Sequence, residues 1–152
     1  MIPLLEERVL PEGIHRCTLE ECGAAFGRFS HSDRRPRLTE ALRRYIGDAR
    51  SAGVAVAVLV DGSYVTAKSE PNDIDLVLVL RADFDLSAEM RPMEYNVQSK
   101  RAVKRQYGFD VLPAIEGSEA YDEYVRLFSQ IRQDDPEQQT TRSAKGLLRI
   151  EL

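Results

Sequence analysis

Apolar residues in this chain fall into a few dense runs separated by polar stretches. Val54 to Val60 (VAVAVLV) is unbroken, and Leu76 to Leu80 (LVLVL) is a second such run. Runs this short, with no polar alternation, predict strands buried on both faces. Helical spacing appears on either side of them. Leu38, Leu42, Tyr45, Ile46 and Ala49 predict an amphipathic helix that stops near Gly53. Thr18-Leu19-Glu20-Glu21 has the form of a capping box and predicts a helix over 19–26, ended by Gly27. Residues 94–107 read as one helix, with Val97 and Val103 as its apolar contacts. A further helix is expected over 118–132, capped by Ser118 and carrying Tyr121, Tyr124, Val125, Phe128 and Ile131 at spacings of three and four. These aromatics suit a core better than a base-stacking platform.

Residues 108–112 begin a third strand, and Pro113 marks it as an edge or an early end. Ile14 to Cys17 reads as a short strand or packed loop. Residues 1–13 form an extended N-terminal arm, and 133–145 a polar linker. Residues 146–152 alternate like an edge strand, or a segment that docks on a second copy or a partner. These elements predict one α/β domain over 1–152 (α+β in stricter usage), with its core at about 37–132. Its architecture is a mixed sheet of about three to five strands with helices packed against it.

One stretch conflicts with this pattern. Asn72-Asp73-Ile74-Asp75 places two carboxylates at the mouth of a strand that otherwise reads as buried. Strand side chains alternate, so Asp73 and Asp75 share a face, roughly 6 to 7 Å apart at their bases. Such a pair can converge on one hard cation, or bridge two about 3.5 to 4 Å apart. Without a cation each carboxylate raises the other's pKa. The preceding strand ends in Asp61-Gly62-Ser63, a tight turn whose backbone N–H groups and hydroxyl suit phosphate oxygens.

The Gly62-Ser63 turn, a spacer, and Asp73-Ile74-Asp75 leading into a hydrophobic strand together resemble the nucleotidyltransferase superfamily. The small members met in toxin–antitoxin loci are the most similar, and the resemblance covers about 37–115. The wider run 10–132 also resembles a family of uncharacterised bacterial proteins placed in that superfamily. The resemblance implies a nucleotidyltransferase-like sheet and an enzyme using Mg²⁺ or Mn²⁺ to move a nucleoside monophosphate from a nucleoside triphosphate such as ATP. The acceptor is a hydroxyl of a protein, an RNA or a small molecule. It also implies a third carboxylate on a strand beside the Asp-x-Asp strand, a role that falls to Asp110. Asp73, Asp75 and Asp110 are then the catalytic residues and metal ligands, and Gly62 and Ser63 grip the phosphates. That expectation fails if Asp110 turns away or a lysine fills the space among the acids. The alternative is a non-catalytic protein of the same fold that works through a partner in a toxin–antitoxin or defence pair, with 133–152 as the docking element.

Composition narrows the picture. Hydrophobic residues make up 43% and charged residues 30%, as in globular proteins, and the net charge of −4 gives no broad field for capturing nucleic acid. Local basic density exists at Arg28, His31, Arg34, Arg35 and Arg37, read as a solvated loop and helix start or a small anion patch. Lys100, Arg101, Lys104 and Arg105 form a second basic face. No apolar stretch is long enough to cross a bilayer, and the N-terminus lacks a signal-peptide pattern, so the cytoplasm is the expected compartment and no membrane partner is expected. Cys17 and Cys22 are too few for a disulfide framework and are expected as free thiols.

Overall fold

The computed structural model describes residues 1–28, 32–131 and 142–152. Five strands form one mixed sheet: β1 (Ile14–Cys17), β2 (Ala55–Asp61), β3 (Asp75–Leu80), β4 (Asp110–Ile115) and β5 (Leu147–Glu151). Their spatial order is β1-β5-β2-β3-β4. β1 runs parallel to β5, which is antiparallel to β2. β2 and β3 are antiparallel, and β3 and β4 are parallel. The helices are α1 (Leu19–Phe26), α2 (Arg34–Ala52), α3 (Pro92–Gln98), α4 (Lys100–Tyr107) and α5 (Glu119–Phe128), with a 3-10 turn at Ser63–Val65.

Both faces of the sheet are covered, which is why β2 and β3 are apolar without alternation. On one face Val58, Val60, Leu76, Leu78 and Ile150 pack with Phe26, Leu42, Tyr45, Ile46 and Val103 of the helices. On the other, Ala57, Leu59, Val77 and Val79 lie beneath Tyr121, Tyr124, Val125 and Phe128 of α5. The α5 aromatics therefore cover the sheet, although no residue of that helix is fully buried.

Local signals set several boundaries as expected. Thr18 caps α1 by accepting from the Glu21 N–H at 3.1 Å, and α2 ends at Gly53 in the left-handed region. β4 lies at the sheet edge, where Pro113 costs no ladder bond to a further strand. Three expectations need correction. Residues 94–107 are two helices, because Ser99 leaves helical geometry and caps α4 through the Ala102 N–H at 3.3 Å. Arg34, Arg35 and Arg37 belong to α2 and not to a connector, and His31 lies outside the described residues. The C-terminal strand is interior, not an edge: β5 is paired on both sides and is not free to dock a partner. Residues 133–141 of the expected polar linker, and Arg132 at the end of the expected 118–132 helix, lie outside the described residues, and α5 itself ends at Phe128. Within the N-terminal arm Val9 and Leu10 are buried against the body.

Among the described residues no helix is long and apolar enough to cross a membrane. Cys17 and Cys22 are free thiols, and burial pushes them up to about 11 and about 12.

Candidate functional site

Sheet register builds the site. Asp61, the last residue of β2, stands opposite Asp75, the first of β3. Asp75 in turn stands opposite Asp110, the first of β4. Three carboxylates thus occupy one row across three adjacent strands, with Asp73 just ahead of that row. Asp61 escaped the sequence reading. It ends an apolar run and looks like the first residue of a polar turn, and only the pairing of β2 with β3 shows its place.

The Gly62-Ser63 corner holds the Asp-x-Asp segment. The Ser63 hydroxyl donates to Asp73 Oδ1 at 3.1 Å and accepts from the Asn72 N–H at 3.2 Å. The Ser63 N–H also points to Asp73 Oδ1, at 3.4 Å. Ser63 is therefore engaged in orienting Asp73. Gly62 has φ of 90°, and a Cβ there would stand 3.0 Å from both the Asp73 carbonyl oxygen and the Asp75 nitrogen. Glycine is required on both counts.

Two arginines of α2 brace this corner. Arg34 Nη1 donates to Asn72 Oδ1 at 2.8 Å. Arg35 is fully buried. Its Nη1 donates to the carbonyls of Phe26 (2.9 Å) and Tyr64 (2.7 Å), and its Nη2 to those of Thr66 (2.8 Å) and Lys68 (2.5 Å). One guanidinium ties the end of α1 to the segment just after the Gly-Ser corner. Composition marked Arg35 as part of a basic patch, and only tertiary structure reveals it as a strut.

A cleft of roughly 400 Å³ opens at this rim, within the range of about 300–1,000 Å³ common for ligand sites. Asp61, Gly62, Ser63, Asn72, Asp73 and Asp75 line one side. Lys68, Lys145 and the end of α5 at Leu127, Phe128, Gln130 and Ile131 line the rest. Asp110 does not line it. Its side chain is half exposed, with Lys104 Nζ 3.6 Å away.

Asp75 is pushed up to about 6, first by burial and then by the charges of Asp73, Asp61 and Asp110, with Lys145 opposing. Burial also raises Asp61, against the pull of Lys145. A lysine does stand at this rim, but its closest carboxylate is the fourth one: Lys145 Nζ lies 2.8 Å from Asp61 Oδ1. Among the described residues no three His, Cys, Asp or Glu side chains gather as a ready metal cage. Mg²⁺ does not need one. It commonly binds through one or two carboxylates, several waters and the phosphates of its substrate. Asp75, raised to about 6 by burial first and by neighbouring acids second, stands with Asp73 in the cleft wall, and this pair of oxygen donors fits a hard divalent cation.

A family model described as a family of unknown function (DUF6932) matches residues 2–151. The chain belongs to DUF6932. Neither the curated proteins nor the solved structures contain a match to it. For this DUF6932 protein, the carboxylate row, the Gly-Ser corner and the cleft are the observations from which function is inferred.

Proposed function

We propose that the protein is a metal-dependent nucleotidyltransferase. The observation that carries this reading is the pair Asp73 and Asp75 in the wall of one cleft, with Asp73 oriented by the Gly62-Ser63 corner. The hydroxyl of an acceptor attacks the α-phosphate of a nucleoside triphosphate. A new P–O bond forms, the bond to the β-phosphate oxygen breaks, and pyrophosphate leaves. Bound Mg²⁺ or Mn²⁺ would supply Lewis acidity toward the phosphates and ease deprotonation of the hydroxyl. Asp73 and Asp75 would hold that ion. Asp110, expected as the third carboxylate, neighbours Asp75 in the sheet but lies outside the cleft beside Lys104, so the reading rests on Asp73 and Asp75 without it. Ser63 fixes the Asp73 carboxylate, and Gly62 keeps the corner open to a ligand.

Calorimetric titration of the full chain with each of the four nucleoside triphosphates in MgCl₂ tests the reading. At least one should bind, and Asp75→Asn should weaken it tenfold or more. A folded chain that gives no heat with any of the four would overturn the proposal.

A further inference from the structure

Asp61 and Lys145 form a pair at the wall of the cleft that the reaction above does not use. Their side chains are only 5% and 9% exposed. Lysine is almost never buried this far without a partner, and a hydrophobic pair of similar volume would serve the fold as well. The backbone around the lysine is fixed from two sides. The Lys145 N–H donates to the Ser129 carbonyl at 2.9 Å, at the end of α5, and the Gly146 N–H to the Leu10 carbonyl at 3.0 Å. Gly146 is pressed so close to the Pro11 carbonyl oxygen that a Cβ would stand 2.0 Å from it. The chain thus holds one ammonium at a set place facing an acidic cleft. A polyphosphate entering beside Asp61, Asp73 and Asp75 meets like charge, and needs cations in the cleft wall as well as any metal ion.

We infer that Lys145 receives the polyphosphate tail of the nucleotide, with Asp61 as the positioning residue that presents its ammonium. The identity of this ligand rests on the nucleotidyltransferase reading. A purely structural pair would tie β5 to β2 and do nothing else, and the two roles give different results in a variant that removes both charges.

The test is calorimetric binding of inorganic tripolyphosphate, with MgCl₂, to the full chain and to Lys145→Met, Asp61→Asn and the double variant. Lys145→Met should melt earlier and bind at least tenfold more weakly. The double variant leaves no buried charge alone, so it should regain most of the lost melting temperature but not the binding. Wild-type affinity in the double variant overturns the inference, as does an absence of tripolyphosphate binding to the wild-type chain. A second measurement needs no variant: the side-chain methylene resonances next to the Lys145 amine should shift when tripolyphosphate is added, and unmoved resonances overturn the inference. If nucleotidyl transfer is never detected but Lys145-dependent tripolyphosphate binding holds, the transfer reading falls and this one stands. If transfer is detected and Lys145→Met leaves the KM for the triphosphate unchanged, the reverse is true.

Discussion

Asp75 carries the clearest electrostatic consequence at the scale of single residues. Its carboxyl sits at about 6 in the folded chain against an ordinary 3.8. The native state therefore holds this proton more tightly than the unfolded state does. Its effect on stability is absent below the ordinary value, grows unfavourable as pH rises from 3.8 to about 6, and is constant above that. In EDTA, scanning calorimetry should show Asp75→Asn melting above the wild type at pH 7.5, with the gap closing toward pH 4. A variant that melts below the wild type at pH 7.5 would contradict the carboxylate crowding. MgCl₂ should raise the wild-type melting temperature at pH 7.5, do so less at pH 4.5, and leave the variant unmoved. Gly62→Ala is the steric counterpart. It combines a positive φ with backbone atoms at 3.0 Å, and should cost about 1–3 kcal/mol in chemical denaturation while weakening the Mg²⁺ response. Asp73 precedes β3 and is held by Ser63 and not by strand alternation, whereas Asp75 and Gly62 were legible in the sequence because their meaning is local, a strand entry and a turn. Asp61, Arg35 and Lys145 were not, because each acquires its partner only through pairing or packing between distant segments.

Elements show the same division between local and long-range information. The ends of α1 and α2 and the start of β3 follow from a capping threonine, a left-handed glycine and a change from polar to apolar composition. The break at Ser99 also had a local sign, since serine is a favoured N-cap, but a continuous run of helix formers around it hid the signal. Ser99→Ala should cost about 1 kcal/mol in denaturation, without altering the sheet. Arg35 has the opposite character: a buried residue in the first turn of α2 whose cost of removal comes from the carbonyls it reaches in α1 and in the segment after the Gly-Ser corner. Arg35→Met would leave the carbonyls of Phe26, Tyr64, Thr66 and Lys68 without this donor. Each unsatisfied buried acceptor costs about 1–3 kcal/mol, so a loss on the order of 3 kcal/mol or more is expected. Amide exchange should accelerate across 64–68 before it does in β2. Equal exchange in the variant and wild type would show that the guanidinium does not brace the corner.

At the scale of the whole molecule, the C-terminal strand decides how the site is closed. Its alternating residues suit an edge, and nothing within those residues tells where in a sheet a strand will be inserted. The fold places β5 between β1 and β2, so it joins the N-terminal segment to the central hairpin. The Leu147 and Leu148 side chains are fully buried, and Arg149 pairs with Glu116 and Glu151 at 2.9 Å each. A dispensable edge strand could be removed at modest cost, but an interior strand cannot. Deleting 147–152 should expose the outer ladder of β2, detach β1 from the sheet and strip cover from α1, α2 and α5 together. The shortened chain is expected to lose its cooperative thermal transition in far-UV circular dichroism and to aggregate. The loss should extend to the Mg²⁺ binding proposed at Asp73 and Asp75, which the deletion does not touch, because the register of Asp61 against Asp75 is set by a β2 strand that needs both neighbours. A shortened chain that still melts cooperatively and still responds to Mg²⁺ would return β5 to the status of an accessory strand. The acid row would then depend on the β2–β3 hairpin and β4 alone.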